Sequence, residues 1–332
     1  MEHQETNHTG TEYKSRLPIE TISVLIDKVK AAIGKTIVGQ HEMIELLLTA
    51  LLAEGHVLLE GVPGVAKTLT AKTMAKLIDA QFSRIQFTPD LMPSDVIGTN
   101  IFNPQTTRFE FRQGPIFGNI VLIDEVNRAP AKTQAALFEV MEERQITSDG
   151  VTYSLDKPFI VIATQNPIEH EGTYRLPEAQ LDRFLFKIVV GYPTIEEELN
   201  ILSYHHHRGA QPLIAAVAAV LSKEELEQCR TWVQQVHVEE KILQYMAQLV
   251  AATRNHPSLY LGGSPRATVA LLHAAKALAV LRGRDFVTPE DVTHVLVPAL
   301  RHRVALTPEK EMEGISADEV LKEMITKVEV PR

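Results

Sequence analysis

The sequence predicts an α/β protein in which a doubly wound, parallel five-stranded sheet is followed by a smaller, all-helical domain. Three observations carry this. Apolar runs at residues 56–59, 119–123, 159–164 and 184–190 have the near-continuous hydrophobicity of strands covered on both faces. Between these runs lie stretches of helical periodicity, so that strands and helices alternate. Beyond residue 191 the strand-like runs cease and helix signatures take over.

Residues 1–17 are polar and unpatterned and read as a mobile tail. Ile22, Leu25, Ile26, Val29 and Ile33 recur at helical spacing, with Gly34 as the stop, and a well-buried second helix runs from about Gln40 to Gly55. A strand at 56–60 leads through a glycine-containing loop into another helix. Residues 82–87 form a short strand, and 88–98 are irregular. Two strands at 99–102 and 107–112 are joined across residues 103–106. Asp149-Gly150 between two strand-like arms is a strong hairpin signal, and both hairpins should project with little apolar surface at their tips. In the second half, Ser222 with Glu225 and Ser316 with Glu319 are capping boxes, and Thr288-Pro289-Glu290-Asp291 starts a helix with proline in its first turn. Residues 209–221 are rich in Ala and Val and read as helix or flexible insert. The domains are then a tail at 1–17, an α/β domain at 18–191 and a helical domain at 192–332.

The 332 residues suffice for two domains, and 45% hydrophobic with 23% charged residues excludes overall disorder. A net charge of −9 argues against an overall nucleic-acid footprint. Cys229 is the single cysteine, so no intrachain disulfide forms. No apolar stretch reaches a membrane span and the N-terminus lacks a signal-peptide core, so the expected compartment is the cytosol.

The chemistry gathers at the sheet's carboxyl edge. Gly61, Val62, Pro63, Gly64, Val65, Ala66, Lys67 and Thr68 have P-loop spacing between strand and helix, and Leu69 continues the helix. A phosphate chain needs donors with no side chain in the way, which glycine backbone and a free helix N-terminus supply. Lys67 adds a cation for the terminal phosphates and the Thr68 hydroxyl suits Mg²⁺. Ala66 stands where the pattern has glycine, so left-handed backbone there costs about 1 kcal/mol or more. Asp124 and Glu125 end a buried strand, where Asp124 can orient Mg²⁺ and Glu125 can polarise a water for attack on the γ-phosphate. Asn166 ends the next strand and can hold that water or sense the phosphate. Arg183 precedes the last strand; it is either a surface ion pair or a charge reaching a neighbouring subunit's nucleotide. The His205-His206-His207 run points in different directions on a helix and reads as solvated. Arg282, Arg284, Arg301 and Arg303 read as helix-end charges or subunit contacts.

Taken together and in order, GVPGVAKT, VLIDEVNRAP, ATQNP, LPEAQLDRF and GGSPRATVALL closely resemble the MoxR group of AAA+ ATPases, over residues of about 18 to 305. The resemblance implies a P-loop NTPase fold with hairpin inserts in helix 2 and before sensor 1, and a helical lid. It implies Walker A at Lys67 and Thr68, Walker B at Asp124 and Glu125, and sensor 1 at Asn166. Arg183 becomes the arginine finger, with Arg175 as a second candidate, and Arg266 becomes sensor 2, acting in cis or in trans. Val38 and Gly39 lie in the adenine-side loop. The implied cofactors are ATP and Mg²⁺. The implied assembly is a homo-oligomeric ring, expected to be a hexamer, which remodels or matures a client protein complex or inserts its cofactor, with a von Willebrand factor A domain protein as a possible adaptor. The rival readings are a magnesium-chelatase-like ATPase subunit and a nucleotide-binding scaffold without turnover.

Overall fold

The structure is a computed structural model that describes residues 17–166, 174, 176–208, 214 and 217–331, without the side chains of 205, 207 and 208. Helices α1 (Ile19–Gly34) and α2 (His41–Leu52) precede β1 (His56–Gly61), α3 (Lys67–Leu77) and β2 (Phe82–Gln86). A short helix α4 (Pro93–Ile97) then leads into the hairpin β3 (Gly98–Asn103) and β4 (Arg108–Gln113). Next come β5 (Ile120–Asp124), α5 (Ala131–Glu143), the hairpin β6 (Gln145–Ser148) and β7 (Val151–Ser154), and β8 (Ile160–Gln165). The single turn α6 (Glu178–Leu181) and β9 (Phe184–Val190) complete this half. The remainder is α7 (Ile195–Arg208), α8 (Lys223–Gln235), α9 (Glu240–Arg254), β10 (Leu259–Leu261), α10 (Pro265–Leu281), α11 (Pro289–Leu300), β11 (Ala305–Leu306), α12 (Pro308–Met312) and α13 (Ala317–Lys327).

The expected parallel sheet is present, with five strands in the order β2-β5-β8-β1-β9. Its alternation explains the continuous apolar runs. Val57, Leu59, Ile120, Leu122, Ile160 and Ile162 face α1, α2 and α3, while Leu58, Val121, Ile123, Val161 and Ala163 face α5. Each large side chain buried this way contributes roughly 1.5–3 kcal/mol of transfer free energy. The first of these layers continues without a break into the helical half, where α10 packs on α2, α8, α9 and α11. Alanines at 267, 274, 275, 277 and 279 are fully buried along α10 and let those neighbours approach closely.

The three predicted helix starts all form capping boxes, at Ser222, Thr288 and Ser316. Two features differ from expectation. The helical half contains a small antiparallel ribbon, β10–β11, too short for a periodicity signal. Residues 93–97, expected to be irregular, form α4, whose Pro93 start and Asp95 capping contact are local signals in a very short segment. Within 209–221 the described residues include no α-helix; Val217 and Leu221 are buried, and Lys76 donates to the Ile214 carbonyl at 2.7 Å.

Both hairpins form. Asp149 and Gly150 have φ of 49° and 78°, the pair of positive values that a two-residue hairpin turn favours. The β3–β4 hairpin precedes β5 and the β6–β7 hairpin precedes β8, and the two are joined by Phe111 stacked on Tyr153 at 4.4 Å between centroids. The expectation of little apolar surface holds poorly for β3–β4. Phe102 and Phe109 form an edge-to-face pair that is 50% and 72% exposed, with Ile101 also exposed. The base of the β6–β7 hairpin belongs to the core through Ile146 and Leu155.

The C-terminal arginines are intramolecular ties rather than free helix-end charges. Arg282 and Arg284 both pair with Asp291, which is fully buried, and Arg301 pairs with Asp318 at 2.8 Å. Arg282 also reaches Glu45 on α2 at 3.2 Å, and the hydrogen bond from His294, followed by the Arg282 contact, holds the Glu45 carboxyl down at about 2 against the effect of burial. The Arg303 side chain is 4% exposed and donates to Asp182 at 2.6 Å, to the carbonyl of Phe184 at 2.8 Å and to that of Leu185 at 3.1 Å. A buried guanidinium with five N–H groups to satisfy requires such a carbonyl cluster.

His56 ties β1 to its surroundings. Its Nδ1 accepts from the Val161 N–H at 2.9 Å, so Nε2 carries the proton and donates to the Met141 carbonyl at 3.1 Å. Burial pushes its pKa down to about 4. Below pH 6.5 the unfolded chain binds a proton that the folded chain refuses until about pH 4. The contribution is therefore intact above pH 6.5 and falls by about 1.4 kcal/mol per pH unit, about 3 kcal/mol in all, as the pH drops through that window. Urea denaturation of wild type and His56→Gln between pH 7.5 and 4.5 should show a slope shallower by about one proton in the variant.

Candidate nucleotide site

Parallel register brings the functional residues together. Gly61 ends β1, Asp124 ends β5 and Asn166 follows β8, all at the carboxyl edge of adjacent strands. Pro63, Gly64, Ala66, Lys67, Thr68, Leu69, Asp124, Glu125 and Asn166 line one cleft of about 410 Å³. Gly61 lies at its base, where its carbonyl accepts from Lys67 Nζ at 2.6 Å, and a Cβ there would meet the Val190 carbonyl at 2.5 Å. Val65 is buried and Val62 half-buried, so these two shape the loop from behind. Gly64 has φ of 91° and open space around its α-carbon, which leaves the backbone accessible to a ligand.

Ala66 has φ 60° and ψ 15°, the left-handed conformation expected from the missing glycine, and it starts α3. Burial pushes the Lys67 amine below its usual range, against the opposing pull of Asp124, Glu125 and Glu60. The fit to a nucleoside triphosphate rests on this donor-rich loop at the start of an 11-residue helix together with a half-buried cation. For a divalent metal, the hydroxyl of Thr68 and the carboxylate of Asp124 are the sparse oxygen set that Mg²⁺ takes.

Three further residues of this cleft were not singled out by the motifs. Thr164 on β8 accepts from the Glu125 N–H at 3.0 Å and donates to Asp124 Oδ1 at 3.3 Å, so one hydroxyl orients both acids. Arg84 pairs with Asp124 Oδ2 at 2.6 Å, and Gln86 donates to Glu125 Oε2 at 2.8 Å, with Arg128 at 3.3 Å from the same oxygen. The available signal was the alternation in Phe82–Gln86, which places Arg84 and Gln86 on one face of a sheet-edge strand beside β5. Glu125 itself is left-handed, with φ 57° and ψ 51°, a conformation costing about 1–2 kcal/mol.

The remaining predicted residues lie elsewhere. Val38 and Gly39 line a second cleft, of about 710 Å³, between the α1–α2 link and α7. Gly39 has φ 67°, and a Cβ on it would fall 2.1 Å from Glu197 Oε1. Arg183 and Arg266 line a third cleft, of about 560 Å³, and neither lines the cleft of Lys67. Arg183 Nη1 lies 2.9 Å from Glu142 Oε2, and Arg266 Nη2 lies 3.5 Å from Glu142 Oε1. Arg266, for which the sequence left action in cis or in trans open, thus lies away from the Lys67 cleft of its own chain. Arg175 lies outside the described residues, as do the histidine side chains at 205 and 207; His206 is exposed.

A P-loop followed by a paired-acid strand on a sheet of this order is the arrangement of an AAA-type nucleotide-binding domain. Residues 56–186 match the ATPase family associated with various cellular activities (AAA), and residues 251–324 match the AAA lid domain. Protein YeaC of Bacillus subtilis (strain 168) is 49% identical over 94% of this chain and 97% of its own length. Chaperone MoxR1 of Mycobacterium tuberculosis is 45% identical, covering 95% of this chain and 83% of that protein. A solved structure of a proposed ATPase from Cytophaga hutchinsonii superposes with a TM-score of 0.88 at 43% identity, over 95% of this chain and 97% of that one. The chain belongs to the MoxR family of AAA+ ATPases.

The left-handed Ala66 can be tested directly. Ala66→Gly removes about 1–2 kcal/mol of backbone strain and returns part of it as chain entropy in the unfolded state. Calorimetry should show Tm raised by about 1–2 °C, with nucleotide affinity within twofold of wild type. A fall in Tm would mean that the loop is unstrained with alanine.

Proposed function

We propose that the protein is a Mg²⁺-dependent ATPase that turns over in a homo-oligomeric ring, with six subunits as the expected number, and uses the cycle to remodel or mature a client protein complex in the cytosol. The observation that carries this reading is the separation of two half-sites. One cleft holds Lys67, Thr68, Asp124, Glu125 and Asn166, and the Arg183–Arg266 pair lies in another. A second copy that docks its arginines onto this cleft completes the set, which is why assembly and turnover go together. Val38 and Gly39 are assigned to the adenine side.

Thr68 and Asp124 would hold Mg²⁺, which when bound would supply neutralising charge for the phosphates. The chain's own residues do the rest. Lys67 and the loop N–H groups bind the phosphates, Thr164 holds Asp124 and Glu125 in place, and Glu125 accepts a proton from the attacking water. Asn166 orients that water. Before attack, the Glu125 carboxylate must exchange its Gln86 and Arg128 contacts for the water. Charge builds on the γ-phosphoryl oxygens in the transition state, where an arginine from the neighbouring subunit stabilises it more than it does bound ATP.

Client contact is assigned to the β3–β4 hairpin, whose exposed Phe102 and Phe109 form an apolar pair near its outer end, with exposed Ile101 on the opposite face. The chaperone name carried by the M. tuberculosis relative supports a client of this kind, and the adaptor implied by the resemblance is a von Willebrand factor A domain protein. Among the described residues no helix is long and apolar enough to cross a membrane.

Two outcomes test the reading. Lys67→Ala should lose nucleotide binding, whereas Glu125→Gln should keep it and lose turnover; equal loss of ATP affinity in both would refute the division of roles. Arg183→Ala should lower kcat by roughly 10³-fold or more while leaving ATP binding nearly unchanged. Mixing it with Lys67→Ala should restore part of the activity, because one interface then pairs an intact P-loop with an intact arginine. Sedimentation verifies co-assembly; a co-assembled mixture that stays inactive rules out the trans role of Arg183.

A further inference from the structure

The proposed trans site needs its arginines delivered in a fixed geometry, yet they come from different parts of the chain. Arg183 sits between α6 and β9 in the sheet half, and Arg266 lies in the first turn of α10 in the helical half. Two guanidinium groups brought close together repel one another, and long side chains such as these are costly to order. Glu142, near the C-terminal end of α5, resolves both difficulties. One of its carboxylate oxygens lies 2.9 Å from Arg183 and the other 3.5 Å from Arg266, so a single negative charge lies between two positive ones.

The backbone beneath is equally constrained. Arg303, from the turn after α11, grips the residues on either side of Arg183 through the Asp182 carboxylate and the carbonyls of Asp182 and Phe184. The arginine segment and the helical half are thereby tied together, and Glu142 adds the third anchor from the helix that follows the Asp124–Glu125 strand. Each guanidinium gives one N–H direction to Glu142 and keeps other donors of its planar fork for phosphate oxygens.

Resting on the trans reading above, we propose that Glu142 is a positioning residue that presents Arg183 and Arg266 as one double-arginine unit to the nucleotide held by a second copy of this chain. Its half-exposed carboxylate, 42% accessible, makes removal compatible with folding.

The test separates this role from the reading it rests on. Glu142→Ala should bind a fluorescent ATP analogue with unchanged affinity and should assemble normally. Its kcat should fall about 10- to 100-fold with KM for ATP within about twofold, the signature of displaced transition-state groups. Glu142→Gln, which offers a single acceptor oxygen, should fall between wild type and Glu142→Ala. Mixed with Lys67→Ala, Glu142→Ala should recover activity to the level reached by the Arg183→Ala and Lys67→Ala mixture, because its intact P-loop then meets an intact double-arginine unit. Unchanged kcat in Glu142→Ala, or a rise, would overturn the proposal, the rise meaning that Glu142 masks the arginines. Loss without complementation, in conditions where the Arg183→Ala mixture does complement, would overturn it as well and assign Glu142 to its own subunit's site. Failure of the Arg183→Ala control mixture despite co-assembly removes the trans reading itself, and this proposal with it.

Discussion

The register of three buried parallel strands is the constraint on which the rest of the molecule depends. In β5, β8 and β1 nearly every side chain is excluded from water on both faces of the sheet. A slip of one residue would exchange the two apolar faces and destroy both contact layers, so the register is fixed by hydrophobic burial alone. Because the strands run parallel, fixing their register also fixes where they end. The carboxylate, the amide and the glycine loop are therefore brought to one edge by packing that has nothing to do with phosphate. Local polar contacts only trim the result: the Thr164 hydroxyl joins the two acids across the β5–β8 pair.

The two halves share that packing. The layer formed by α1, α2 and α3 is continuous with the helical half, and ionic contacts run along the same boundary, from Glu45 to Arg282 and from Asp182 to Arg303. Half-buried charges of this sort contribute less to stability than the apolar area beside them. They do specify orientation, because Arg303 would be left as a buried charge without its Asp182, Phe184 and Leu185 partners if the halves slid past one another.

Much of this was legible in the sequence because it follows from local rules. Strand burial, the P-loop spacing, the Asp149-Gly150 turn, the capping boxes at Ser222 and Ser316 and the helix start at Thr288 each depend on a few neighbouring residues, and all are present. The left-handed Ala66 was also foreseeable from the one departure in the loop. What the sequence hid are contacts between distant elements. Arg84, Gln86, Thr164 and Glu142 are ordinary polar residues until tertiary structure sets them against Asp124, Glu125, Arg183 and Arg266. Arg303 belongs with them: by sequence it reads as a helix-end charge or subunit contact, and only the fold reveals the carbonyls of Phe184 and Leu185 around it. The β10–β11 ribbon was missed because two and three residues carry no period.

The stacked pair Phe111 and Tyr153 has a mechanical consequence. Each hairpin, taken singly, has one paired strand to brace it; joined by the stack, the two form a single projection that leads into β5 and β8. Those strands are adjacent in the sheet, and their far ends are Asp124 and Asn166. A partner that moved the joined hairpins would therefore act on the two strands that carry the acid and the amide of the cleft. By the same connection, a change at the cleft would bear on the hairpins.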